Sequence, residues 1–102
     1  ENGITVVVKG APTVTIAPDG RMYVNTTGNP GMATGGSGDV LTGMVLALLA
    51  QGYESEQAAL IAVYIHGLAG DIAARRLSMT AMTSADIADL LPQAWLQMTE
   101  TL

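Results

Sequence analysis

The residues best suited to chemistry stand together in Gly35-Gly36-Ser37-Gly38-Asp39. Tandem glycines admit backbone conformations in which successive N–H groups point into one concavity, and such a nest binds anions. The run Asp39 to Gln51, DVLTGMVLALLAQ, has the length and apolar content of a buried helix. The glycines therefore fall where a helix begins and its dipole is positive. These features predict a phosphate-binding turn in which Gly36, Ser37 and Gly38 form an anion hole. Asp39 is the single acid of the stretch Asn25 to Gly43, NTTGNPGMATGGSGDVLTG. Held beside the bound group, its carboxylate suits a general base toward a substrate hydroxyl that attacks or receives phosphate. A plainer reading stays open, in which Ser37 or Asp39 only caps the helix and the glycines only turn the chain. Two familiar phosphate motifs are excluded, because no lysine follows any glycine and the G-x-G-x-x-G spacing is missing.

Other chemistry-bearing residues are scattered. Lys9 ends the β-branched run Ile4 to Val8; its ammonium could meet a phosphate, or simply be solvated at a strand end. Thr13 could donate to a phosphate or a base, or be an ordinary hairpin residue. His66 lies mid-helix among apolar and small residues, which suits a satisfied structural histidine. Asp71 can cap or pair with Arg75 at i+4. Asn25 and Asn29 flank the glycine loop and can fix its turns through their amides.

The elements that must position these residues follow from local pattern. Ile4 to Val8 is continuously apolar, as in a strand buried on both faces of a parallel sheet. Val14 to Ala17 and Met22 to Val24, joined by Pro18-Asp19-Gly20-Arg21, predict a hairpin near a sheet edge. After the helix opened by Asp39, Gly52 is a stop, and Ser55 caps a second helix running to about Leu77. Its small residues, Gly67 and Gly70 among them, recur at spacings of three and four and allow a close approach to another helix or the sheet. Thr83 with Asp86 forms a capping box for a last helix, which Pro92 either kinks or restarts. Trp95 anchors that helix, and the methionines fill the core.

With 102 residues, 13% charged and 49% hydrophobic, the chain has room for one small buried domain. A net charge of -5 with four Lys and Arg excludes a basic face for nucleic acid or an anionic membrane. The absence of cysteine excludes disulfides, thiolate metal sites and cysteine nucleophiles. No signal peptide is visible, and Val40 to Ala50 is far shorter than the roughly 20 apolar residues that span a bilayer. A soluble protein is expected. Glu1 stands in place of methionine and a strand follows at once, which suggests a piece of a longer protein. Three strands crowded into the first quarter leave open sheet edges, so an N-terminal half or a companion chain is expected to complete the sheet.

The run Asn29-Pro30-Gly31-Met32-Ala33-Thr34-Gly35-Gly36-Ser37-Gly38-Asp39-Val40-Leu41-Thr42-Gly43 resembles the signature of the nucleotide-dependent NAD(P)H-hydrate dehydratases, members of the ribokinase-like superfamily. The resemblance extends upstream through Val8-Lys9-Gly10-Ala11-Pro12-Thr13 and downstream through His66-Gly67-Leu68-Ala69-Gly70-Asp71. It implies an α/β fold: the C-terminal part, over residues 1–102, of one ribokinase-like three-layer sandwich domain, with about three strands and three helices. It further implies a cytoplasmic metabolite-repair enzyme acting on hydrated NADH or NADPH (S epimer). ADP, or ATP in the eukaryotic type, phosphorylates the added hydroxyl and loss of phosphate restores the ring.

Carried over by position, the nucleotide contacts fall on Lys9, Gly10, Ala11, Pro12, Thr13 and Gly38, and the substrate contact and base on Asp39. Mg²⁺ is expected to arrive with the nucleotide, held largely by phosphate and water, with no protein metal site. Homo-oligomerisation is expected as well. Two other readings are carried: a vitamin or sugar kinase sharing the Gly-x-Gly-Asp turn, and a piece that binds nucleotide or assembles without turnover.

Overall fold

In a computed structural model, which describes residues 3–10 and 12–100, the chain forms a small sheet followed by helices. Strands β1 (Val6–Val8), β2 (Val14–Ile16) and β3 (Met22–Val24) lie in the order β1-β2-β3, and both pairings are antiparallel. The one neighbour of β1 among the described residues is thus antiparallel to it, not parallel as expected. The link from Val8 to Val14 is far shorter than the dozen or so residues a parallel crossover requires. Register places Val7 opposite Thr15 and Thr15 opposite Tyr23, and this row faces the helices, with Thr15 2% exposed.

The pleat sends alternate residues to the other side. There Val6, Ile16 and Met22 form one row and Val8, Val14 and Val24 a second. Among the described residues no helix covers them: Val6 is 45% and Val8 50% exposed. The expectation that Ile4 to Val8 is buried on both faces thus fails here. Its apolar residues are partitioned between a covered and an uncovered face.

Among the described residues a 3-10 turn (Pro30–Met32) precedes four helices, α1 (Ser37–Ala50), α2 (Ser55–Leu77), α3 (Ser84–Asp89) and α4 (Leu91–Glu100). Gly52, at φ +100°, ends α1 as expected, the left-handed conformation being costless without a Cβ. Glu54 rather than Ser55 is the N-cap of α2, in a reciprocal box with Gln57. The Thr83–Asp86 box opens α3 as the sequence indicates. The last helix is two, because α3 closes at Leu90 and Pro92 becomes the second residue of α4, where its missing N–H has no intrahelical partner to lose.

Helix α2 is the organiser of the core. Ile65, Leu68, Ile72 and Ala73 pack against Met82, Ile87 and Ala94, while Ala58, Ala62 and Val63 pack against Leu41 and Leu48 of α1. Trp95 touches both groups. Each fully buried Ile, such as Ile65 or Ile87, contributes about 1.5–3 kcal/mol. By length and composition α2 could cross a membrane, but two thirds of its apolar stretch (67%) is buried inside the protein. Its small-residue face does admit a close neighbour. That neighbour is the loop of residues 25–33, with Thr27 set against Gly67 and Met32 against Gly70.

Candidate active site

The loop is built by its own amides and by α2. Asn25 Nδ2 is shared among Thr27 O (3.1 Å), Thr27 Oγ1 (3.0 Å) and Val63 O (3.3 Å), and Thr27 Oγ1 donates to Tyr64 O at 2.9 Å. Asn29 caps the 3-10 turn through Oδ1, which accepts from Gly31 N at 3.0 Å. Asp71 receives the Gly28 N–H (3.0 Å) and Asn29 Nδ2 (2.9 Å) on its two oxygens. The expected local pairing of Asp71 with Arg75 gives way to this long-range clamp, because two donors converge on the carboxylate. Both asparagines do fix the loop's turns, as their composition suggested.

Beyond the loop, α1 starts at Gly36, a left-handed N-cap with φ +89° that lends no side-chain cap. Neither Ser37 nor Asp39 is therefore the cap. Helix geometry leaves the N–H groups of Gly38 and Asp39 without carbonyl partners at this terminus. Such donors, with the helix dipole behind them, favour an anion. A Cβ on Gly36 would come within 2.8 Å of Ser84 Oγ, so α3 braces the turn from outside.

A cavity of about 800 Å³ opens beside this terminus. Lys9, Gly10, Pro12 and Thr13 line one wall, the loop forms another, and Ser37, Leu41, Val63, His66 and Gly67 form the floor. The residues singled out in the sequence thus converge, but unequally. Lys9 reaches across to Gly38, where a Cβ would stand 2.8 Å from its Nζ. The Thr13 hydroxyl is turned to Gly10 O at 3.3 Å. Gly36 lies behind the turn, under Ser84. Asp39 is exposed on the first turn of α1 and is not part of the cavity wall. Ala11 lies outside the described residues. Thr26, Thr34 and His66 also line the cavity; the first two belong to the loop that the sequence marked, and His66 to the downstream matching segment, but nothing local distinguished them.

His66 is 6% exposed and contacts Ser37 twice: Nε2 lies 3.1 Å from Ser37 O and 3.4 Å from Ser37 Oγ. A carbonyl oxygen only accepts, so Nε2 carries a hydrogen and donates it to Ser37 O. Burial holds the imidazole below its ordinary pKa of 6.5; the Ser37 carbonyl opposes this shift and the Lys9 charge adds to it. The ring is accordingly neutral near pH 7, the satisfied histidine that the sequence suggested, but one tied to the start of α1.

A family model described as NAD(P)H-hydrate dehydratase matches residues 1–93. The chain is 53% identical over 87 residues to a bifunctional NAD(P)H-hydrate repair enzyme of Moorella thermoacetica, covering 85% of this chain and 16% of the relative. It is 39% identical over 90 residues to the ADP-dependent (S)-NAD(P)H-hydrate dehydratase of Bacillus subtilis, covering 88% and 33%. Among solved structures, the Bacillus subtilis ADP/ATP-dependent NAD(P)H-hydrate dehydratase co-crystallised with ATP and Mg²⁺ superposes with a TM-score of 0.85 at 38% identity, covering 91% of this chain and 34% of that one. A ribokinase-like superfamily protein of Enterococcus faecalis gives a TM-score of 0.78 at 37% identity, covering 93% and 32%. The α/β architecture is thus part of a ribokinase-like fold. The chain spans a third or less of the length of these curated relatives.

Proposed function

The chain belongs to the NAD(P)H-hydrate dehydratase family, and from that premise we propose that it supplies the phosphoryl-handling end of an ADP-dependent (S)-NAD(P)H-hydrate dehydratase. Residues 1–102 are read as part of a single domain, whose remaining part completes the sheet and the substrate pocket. The observation that carries this reading is Lys9 standing over Gly38 at the uncapped start of α1, beside the cavity.

The residues present fit a nucleotide. About 800 Å³ lies within the range of small-molecule pockets. Lys9 and Ser37 line it, and the position beneath the Lys9 ammonium, Gly38, has no side chain. ADP supplies the phosphoryl group that converts the added hydroxyl of the hydrated ring into a leaving phosphate, releasing AMP. Lys9 binds phosphate as a point charge, and Gly10, Ala11, Pro12 and Thr13 border the nucleotide. The N–H groups of the Gly36–Gly38 turn steady the transferred group. Asp39, exposed on the first turn of α1, takes the hydroxyl proton as the oxygen attacks. Mg²⁺ would arrive with the nucleotide, held largely by phosphate oxygens and water. A cytoplasmic, homo-oligomeric enzyme acting on hydrated NADH and NADPH completes the proposal.

The deciding assay mixes hydrated NADH, ADP and Mg²⁺ with the complete gene product and follows NADH absorbance. Recovery of NADH with stoichiometric AMP and inorganic phosphate is expected. A stable phosphorylated product would indicate a kinase, and no recovery would reject the reading. Asp39→Asn is expected to abolish turnover while sparing nucleotide binding.

A further inference from the structure

We propose that His66 is a positioning residue for this site: through Ser37 it fixes the start of α1 and so aligns the Gly38 and Asp39 N–H groups with Lys9. The inference rests on the phosphoryl-transfer reading above and deepens it. Three observations carry it. Gly36 starts α1 in a left-handed conformation with no side-chain cap, so the terminus relies on other contacts, among them Ser37 N donating to Thr34 O at 3.2 Å. His66 and Ser37 are both buried, at 6% and 5% exposure, and both border the cavity. The ring donates to Ser37 O at 3.1 Å across 29 residues of sequence, joining the turn to the central helix.

The Ser37 carbonyl sits in the first turn and also has the helix ladder available to it, so α1 can form without the histidine. What the ring adds is orientation. Because Nε2 already carries its hydrogen, the Ser37 hydroxyl does not donate to the ring and keeps its own proton for a group in the cavity. Lys9 and His66 line the same cavity, so the ring and the ammonium border one space. Replacing the ring by an aliphatic side chain fills the space and removes the one hydrogen bond that the ring makes to the Ser37 carbonyl.

The test compares wild type, His66→Leu and His66→Gln in the complete gene product. ADP is titrated against ¹⁵N-labelled protein while the amide resonances of Gly36, Ser37, Gly38 and Asp39 are followed, and kcat and KM for hydrated NADH are measured alongside. His66→Leu is expected to weaken ADP about tenfold, the loss of one oriented hydrogen bond, and to lower kcat by more than it raises KM. His66→Gln, whose amide reaches the Nε2 position, is expected to restore both to within about twofold. Should His66→Leu not fold, His66→Asn, too short to reach Ser37, replaces it with the same expectation.

Unchanged ADP affinity and kcat in the leucine or asparagine variant overturn the proposal, as does a glutamine variant no better than leucine. A wild type whose turn resonances ignore ADP overturns this inference and the anion-site reading together. A wild type that binds ADP without restoring NADH removes the reaction alone, and the ADP affinities of the variants still decide the role of His66.

Discussion

The Lys9 ammonium occupies the space that a side chain at position 38 would fill: a Cβ on Gly38 would lie 2.8 Å from Lys9 Nζ. The end of β1 and the start of α1 are thereby fitted to each other without a residue between them. Gly38→Ala should displace a flexible side-chain end, so the cost in stability is small, about 1 kcal/mol or less. Nucleotide affinity should fall about tenfold as the charge moves off the turn. Calorimetric titration with ADP beside a thermal melt checks both; equal ADP affinity in Gly38→Ala and wild type would show that the fit is incidental.

Acid stability should carry the signature of His66. Its pKa in the folded protein is lowered from 6.5, chiefly by burial, so below that pH the unfolded chain binds more protons than the folded one. The histidine's contribution is therefore intact above pH 6.5, declines as pH falls below it, and levels off once the folded ring is protonated as well. His66→Gln should flatten the corresponding part of the curve of unfolding free energy against pH. A variant curve parallel to wild type below pH 6.5 would contradict the burial argument.

Asp71 joins α2 to the loop through two hydrogen bonds, from Gly28 N and Asn29 Nδ2. Asp71→Ala leaves both donors to water, because the site is partly exposed, and should cost about 1 kcal/mol. The effect should be local. Amide exchange at Gly28 to Met32 is expected to accelerate while α4 is unaffected; uniform acceleration would mean that Asp71 supports the whole fold.

The two glycines of α2 should differ when substituted. A methyl on Gly67 meets the Thr27 backbone carbon at 2.8 Å and Thr27 Cβ at 2.9 Å. On Gly70 it meets the Met32 side chain, whose Cγ and Cε lie at 2.6 and 2.7 Å. Methionine can change rotamer and backbone cannot, so Gly67→Ala should destabilise by about 2–3 kcal/mol and Gly70→Ala by about 1 kcal/mol. The reverse order in denaturant melts would refute this reading of the loop–helix contact.

The uncovered rows Val6–Ile16–Met22 and Val8–Val14–Val24 should make residues 1–102, produced alone, self-associate. Sedimentation is expected to show concentration-dependent species, and Met22→Lys with Val24→Thr to reduce them. A monomeric, cooperatively melting wild-type piece would refute the expectation.

Local rules carried the sequence far where their reach of about four residues was enough. Gly52 ended its helix, Thr83 and Asp86 opened theirs, and the glycine run fell at the start of α1, whereas the choice between kink and restart at Pro92 was left to the packing. Chemistry placed there by residue type, an anion turn with one carboxylate, needed no tertiary knowledge to be imagined. The antiparallel pairing of β1 with β2 was not foreseen, because an apolar run reports burial and says nothing of which strand lies beside it.

What the tertiary structure alone decided were partnerships between distant residues. Asp71 clasps Gly28 and Asn29 across 43 and 42 positions, His66 holds Ser37 across 29, and Lys9 comes to rest over Gly38. No periodicity encodes such pairs. They arise when α2, buried along most of its length, gathers the loop and α1 around itself and leaves each polar side chain to find its donor or acceptor within that packing.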